Sequence, residues 1–70
     1  MYNIVGGAGC IRCKMLKSKL DSLNIHYNYI DVESDYGKEL VDTYNIDELP
    51  FIFDNDKVYN LQEMMTIDKA

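Results

Sequence analysis

Two cysteines three positions apart, Cys10 and Cys13, stand where a β-prone run gives way to a helical pattern. That placement restricts the fold more than any other feature of the chain. Before the pair, Tyr2–Val5 is apolar and β-prone and is predicted to be a strand. Gly6, Gly7, Ala8 and Gly9 follow as a flexible turn. From Ile11 to about Leu23 the periodicity is helical: Cys13, Leu16, Leu20 and Leu23 share one stripe. Lys14 and Lys17 fall on the opposite side, and Ile11 and Met15 on a flank. A disulfide across so short a loop removes little entropy from the unfolded chain, so the pair is a poor structural staple. One pair also falls short of a secreted disulfide scaffold.

The rest of the chain continues the alternation. Asn24 is a plausible helix end. Ile25–Val32, rich in Tyr and Ile, is predicted to be a second strand. Ser34 with Asp35 signals a helix start, and Tyr36, Leu40, Val41 and Tyr44 recur at helical spacing. After a loop at Asn45–Leu49, Pro50 opens a third strand, Phe51–Phe53, at the one strand position where a missing ladder donor costs nothing. Asp54-Asn55-Asp56-Lys57 reads as a turn into a short fourth strand, Val58–Tyr59. Leu61–Ile67 is predicted as a last helix with Leu61, Met64 and Met65 on its buried side. The order β-α-β-α-β-β-α predicts an α/β domain: a four-stranded mixed sheet, built on a parallel βαβ unit and a hairpin and flanked by helices.

The totals narrow the function classes. Seventy residues make one domain. A domain of that size buries only about 60% of its unfolded surface, so its stability margin is thin. No apolar run approaches the ~18 residues of a membrane span. Met1–Val5 lacks the basic and long apolar parts of a signal peptide, which makes the reducing cytoplasm the expected compartment. The net charge is −5, yet four of the seven basic residues, Arg12, Lys14, Lys17 and Lys19, crowd the first helix. An acidic body elsewhere argues against nucleic acid as a partner.

Cys10 falls at or just before the first helical turn. Unpaired backbone N–H groups and the positive end of the helix dipole favour an anion there, and a thiolate is such an anion. Arg12 and Lys14 add charge of the favourable sign. Cys13 lies a turn further on, on the buried stripe. The expected roles follow: an exposed Cys10 thiolate attacks a disulfide, and Cys13 resolves the mixed disulfide. The competing reading is a zinc or iron–sulfur module using the pair across a dimer, since C-x-x-C supplies only two thiolates and His26 is remote. His26 reads as a strand surface residue, and Gly6–Gly9 lacks the pattern of a phosphate loop.

Three stretches, Cys10-Ile11-Arg12-Cys13-Lys14, Tyr29-Ile30-Asp31-Val32-Glu33 and Leu49-Pro50-Phe51-Ile52-Phe53, occur in an order that resembles the glutaredoxin family of the thioredoxin superfamily. The resemblance runs from about Met1 to Met65 and implies a single glutaredoxin-like domain over residues 1–70. It implies a dithiol–disulfide oxidoreductase with Cys10 and Cys13 at its reaction centre. It further implies that Pro50 is a cis-proline facing the cysteines, and that Leu49 pairs through its backbone with the bound thiol peptide. From the residues alone, a trans bond is the expectation. Arg12, Leu49 and Pro50 are thus the expected substrate-binding residues, and Glu63 falls near the place of an acid that contacts glutathione. The family's Pro-Tyr between the cysteines is Ile11-Arg12 here, its Thr-Val before the proline is Glu48-Leu49, and its Gly-Gly after the fourth strand is Asn60-Leu61. The resemblance implies no tightly bound cofactor and an external reductant, either glutathione or thioredoxin reductase with NADPH. The implied substrate is a protein or glutathione disulfide, ribonucleotide reductase among the candidates, and the chain is expected to act as a monomer.

Overall fold

The computed structural model describes residues 1–55 and 57–66. Its elements run β1 (Tyr2–Gly6), α1 (Ile11–Ser22), β2 (Tyr27–Asp31), α2 (Asp35–Tyr44), β3 (Phe51–Asp54), β4 (Lys57–Tyr59) and α3 (Leu61–Met65). The β-α-β-α-β-β-α order and the four-stranded mixed sheet expected from the sequence are both present. Asp56 of the predicted turn and the predicted extension of the last helix to Ile67 lie outside the described residues.

The strands are ordered β2-β1-β3-β4. β1 pairs parallel with β2, Tyr2 opposite Tyr27 and Gly6 opposite Asp31. On its other side β1 pairs antiparallel with β3, Val5 opposite Phe51. The hairpin partner β4 completes the sheet, Phe53 opposite Val58.

Side chains alternate across the pleat, so neighbouring residues of a central strand enter different cores. Ile4 and Ile52 point to one face, where they pack with Leu16 and Leu20 of α1 and Met64 of α3. Val5 and Phe53 point to the other, against Leu40 of α2. Because helices cover both faces, Ile4 and Val5 of β1 are buried on opposite faces and stand as consecutive apolar residues rather than alternating with polar ones. Tyr44 extends the second core, its ring 5.3 Å from that of Phe51 and 5.1 Å from that of Phe53.

The three helices of the described residues start on the same device. The side chain before the helix accepts the backbone N–H three residues on: Cys10 from Cys13, Ser34 from Gly37, and Asn60 from Glu63. The acceptor satisfies one of the N–H groups that a helix start leaves without a partner. At the other ends, Asn45 caps α2 in the left-handed conformation (φ 53°) and Asn24, just past α1, adopts it too (φ 56°). Asparagine tolerates that region better than other side chains do.

Four local expectations need correction. The second strand begins at Tyr27 rather than Ile25, because the backbone N–H of Ile25 is still tied to the Leu20 carbonyl (2.9 Å) and closes the end of α1. His26 is therefore an exposed residue of the connection before β2, not a strand residue. Tyr36 shares the helical spacing of Leu40 but lies exposed on α2, while Gly37, outside that set, is buried against the end of β2. Lys17 does not fall opposite the buried stripe, for it is half-buried and its ammonium lies over the Tyr29 ring, 4.2 Å from the centroid.

Candidate active site

β1 leads straight into the cysteine pair. Its last residue, Gly6, is buried in the sheet, and the chain then turns through Gly7, Ala8 and Gly9 to Cys10. The turn closes with the Cys10 N–H donating to the Gly7 carbonyl (3.2 Å). Cys10 keeps an extended backbone (φ −89°, ψ 106°) as the residue that caps α1. Cys13 is three residues on, inside the first turn of the helix.

The two sulfurs are joined as a disulfide, with the Cα atoms 5.2 Å apart. The sites differ sharply in environment. Cys10 is half-buried, whereas Cys13 is completely buried in line with Leu16 and Leu20. The Cys13 N–H donates to the Cys10 sulfur at 3.1 Å. Sulfur here takes the position that oxygen takes at Ser34 and Asn60, so the helix end is aimed at this atom. A sulfur carrying negative charge makes the stronger version of such a hydrogen bond.

The surroundings of the pair come from three elements. A Cβ placed on Gly6 would run into the Tyr29 hydroxyl of β2 and come within 2.9 Å of the Cys13 sulfur. Glycine at position 6 is therefore required by close approach rather than by backbone conformation. The Tyr29 hydroxyl donates to the Gly7 carbonyl at 3.5 Å. Burial, with the Asp31 charge second, pushes the Tyr29 phenol above its ordinary pKa.

β3 brings in the third part. The Leu49–Pro50 peptide bond is cis, as the resemblance implied and as the residues alone did not. Pro50 is buried and Leu49 half-buried. The pairing of Val5 with Phe51 puts Pro50 and Leu49 at the end of β1 that leads to Cys10. A Cβ on Gly7 would lie 3.7 Å from Cδ1 of Leu49. The loop before β3 thus meets the glycine turn beside the disulfide.

Arg12 projects from the first turn of α1 as an exposed side chain and forms no ion pair among the described residues. Ile11 and Met15 on the neighbouring flank are 73% and 52% exposed, which leaves apolar surface next to Cys10. Glu63 stands elsewhere in the logic of the fold. Its carboxylate accepts the Asn60 N–H (3.3 Å) and its own N–H donates to Asn60 (2.7 Å), a reciprocal cap on α3. Among the described residues no three His, Cys, Asp or Glu side chains cluster as a metal-binding group.

The spacing of the cysteines, their position on a strand-to-helix turn and the stripe that buries Cys13 were all visible in the sequence. The sequence put Gly6 in the turn rather than at the end of β1, Tyr29 in the second strand and Lys17 away from the buried stripe, and it assigned none of the three a place beside Cys13. Only the β1–β2 register brings Tyr29 onto the α1 side of the sheet, and the alternation of Tyr27, Tyr29 and Ile30 was the available signal.

A sheet flanked by helices, with Cys10 capping the first helix and disulfide-bonded to Cys13, and the Leu49–Pro50 loop beside the pair, defines a redox protein of the thioredoxin fold. The glutaredoxin family model matches residues 1–59, and the chain belongs to the glutaredoxin family. Several solved structures share its architecture, two of them over nearly the whole of both chains. One is the glutaredoxin-like protein NrdH-redoxin from Escherichia coli, reported for its thioredoxin-like activity profile. It superposes with a TM-score of 0.78 at 15% identity, over 99% of this chain and 96% of that one. The other is a mutant of the thioredoxin-like protein BC3987, with a TM-score of 0.73 at 20% identity over 94% of this chain and 100% of that one. At such identities the likeness establishes the fold. No curated protein sequence matches the chain. Family and fold together make this a thiol–disulfide oxidoreductase.

Proposed function

We propose that the protein reduces disulfides of a protein substrate, with Cys10 as the attacking and Cys13 as the resolving sulfur. The observation that carries the assignment is the 3.1 Å hydrogen bond from the Cys13 N–H to the Cys10 sulfur, made while Cys13 itself is wholly buried. In the reduced protein, the capping position favours a thiolate on Cys10. That thiolate attacks one sulfur of the substrate disulfide R–S–S–R′. A Cys10–S–S–R bond forms, the S–S bond of the substrate breaks, and R′S⁻ departs. The Cys13 thiol gives its proton to R′S⁻ and its sulfur attacks Cys10. The mixed disulfide breaks, RS⁻ leaves, and the Cys10–Cys13 disulfide closes. Two electrons have passed from the dithiol to the substrate.

Substrate contact falls to the surface around Cys10. The exposed Ile11 and Met15 supply apolar area, and Arg12 and Lys14 supply positive charge. Leu49 and Pro50 offer backbone at the glycine turn, where a strand-like peptide would pair. This surface suits an acidic, extended protein segment; a ribonucleotide reductase tail is the partner the resemblance suggests.

Thioredoxin reductase with NADPH is the proposed reductant, and the cytoplasm the proposed setting. Two observations favour that reductant over glutathione. The Glu63 carboxylate takes part in the reciprocal cap on α3, and Asn60-Leu61 stands where the resemblance would put a Gly-Gly glutathione cradle. The thioredoxin-like activity profile of the NrdH-redoxin neighbour points the same way.

The test offers the oxidised protein either thioredoxin reductase with NADPH or glutathione with its reductase and follows the return of thiols. Rapid recovery with thioredoxin reductase is expected. Recovery with glutathione alone would reassign the reductant. If neither system, nor a small dithiol, yielded a protein able to reduce an insulin disulfide, the proposed activity would be wrong.

A further inference from the structure

The resolving step asks something of Cys13 that its surroundings make costly. Its sulfur must carry negative charge to attack Cys10, yet the residue is entirely buried, on the same stripe of α1 as Leu16 and Leu20 and beside Gly6 of the sheet. Burial favours the neutral thiol. The capping N–H that would help is pointed at Cys10 instead. A second donor is needed at Cys13.

One side chain is in place to provide it. The Tyr29 hydroxyl and the Cys13 sulfur converge on the same spot beside Gly6, the spot that a Cβ there would occupy. The hydroxyl's hydrogen bond to the Gly7 carbonyl is long, at 3.5 Å, near the outer limit for such a bond. No hydrogen bond joins the hydroxyl to Cys13 while the disulfide is closed, but Gly6 leaves the space between them free, so a small shift of the phenol into that space brings the donor to the sulfur. The charged groups facing this pair are Lys17 of α1, whose ammonium lies over the Tyr29 ring, and Asp31 of β2. Arg12 and Lys14 flank Cys13 in the chain but are exposed.

We propose that Tyr29 is a positioning residue for the resolving sulfur: when the disulfide opens, its hydroxyl turns from the Gly7 carbonyl to Cys13 and stabilises the buried thiolate. The inference rests on the role assigned to Cys13 above and goes beyond it by naming the group that makes ionisation possible there. Tyr29 keeps its own proton throughout. Its phenol is shifted upward by burial, so at neutral pH it donates a hydrogen bond and does not act as a base. The Cys13 proton still ends on the first departing substrate sulfur. Lys17, over the ring face, adds positive charge to the same buried corner.

The experiment removes one oxygen atom. In a Cys10→Ser background, Cys13 is titrated through the ultraviolet absorbance of its thiolate, with Tyr29 intact and as Tyr29→Phe. The substitution is expected to move the Cys13 titration to higher pH. In the dithiol protein it should slow the collapse of a preformed mixed disulfide about tenfold, the scale of losing a hydrogen bond to a charged atom. The rate of first attack by Cys10 should stay as it was. Tyr27→Phe, which removes a hydroxyl bonded to Asp21 on the same strand, should change none of these. An unshifted Cys13 titration with Tyr29→Phe would overturn the proposal.

A second measurement keeps the test open if Tyr29→Phe folds poorly. With 3-fluorotyrosine at position 29 in the Cys10→Ser protein, the fluorine resonance is expected to follow the Cys13 titration. A resonance that ignores it would overturn the inference equally. Both titrations need no substrate, so they give an answer even if the proposed protein-disulfide activity fails.

Discussion

The Cys10 sulfur receives the Cys13 backbone N–H at 3.1 Å, the same contact that Ser34 makes with Gly37 (3.0 Å) and Asn60 with Glu63 (2.7 Å). A reactive atom thus occupies a position that the other two helices fill with an ordinary capping oxygen. The cap serves both the fold and the chemistry. It relieves an unpaired helix donor in the folded chain and holds a donor against the sulfur when that sulfur ionises.

Gly6→Ala should damage the site and the fold together. The new Cβ would collide with the Tyr29 hydroxyl and crowd the Cys13 sulfur and the packed sheet offers neither much room. Overpacking of this kind costs about 1–3 kcal/mol. Urea unfolding should show a lower midpoint, and mixed-disulfide resolution should slow. A midpoint equal to that of the parent would mean that Tyr29 moves aside freely.

Leu16→Ala tests the core that holds α1 on the sheet. Leu16 is completely buried with Ile4, Leu20, Ile52 and Met64. Truncations of this type cost about 2–5 kcal/mol. In a chain of 70 residues that is a large share of the whole stability. Loss of cooperative thermal unfolding near room temperature is expected, and a melting temperature within a few degrees of the parent would contradict the packing described.

How far the sequence foretells this structure depends on the range of the interaction. The caps at Cys10, Ser34 and Asn60 and the left-handed ends at Asn24 and Asn45 are local, and the first two caps and both helix ends could be placed from short stretches of residues. The stripe Cys13–Leu16–Leu20 is also local, set by helical period. Tyr29 beside Cys13, Lys17 over Tyr29, and Gly37 against β2 each depend on how elements far apart in sequence meet. Gly37 illustrates the difference. A Cβ there would press on the Asp31 carbonyl and on Cα of Val32, 2.9 Å away, a contact that no pattern of polar and apolar residues encodes. The cis bond before Pro50 belongs with these, since the residues alone favour trans.

Alkaline pH should weaken the fold through its tyrosines. The phenols of Tyr2, Tyr27 and Tyr29 are all raised from 10.0, burial being the first cause in each. A group with a raised folded pKa contributes its stability fully below the unfolded value and loses it as pH climbs through the folded one. Stability against urea should therefore decline above about pH 10, where the unfolded chain ionises first. Tyr27→Phe, which also frees Asp21 from its 3.0 Å hydrogen bond, should flatten part of that decline. An identical slope in the variant would remove Tyr27 from the explanation.

Arg12→Ala should raise the Cys10 pKa modestly by removing a positive charge from the first turn of α1. Because Arg12 is exposed, the effect should shrink further as salt is added. Thiolate absorbance against pH at low and high ionic strength reads both expectations. An unchanged titration at low salt would leave the helix end as the sole source of the effect.

The most direct measurement follows alkylation of the reduced protein by iodoacetamide at pH 6–7, with mass mapping to assign each modified cysteine. A sulfur that caps a helix should react many times faster than its buried neighbour one turn on, so Cys10 should be labelled almost completely before Cys13. Equal rates, or Cys13 reacting first, would contradict the division of labour between the two sulfurs.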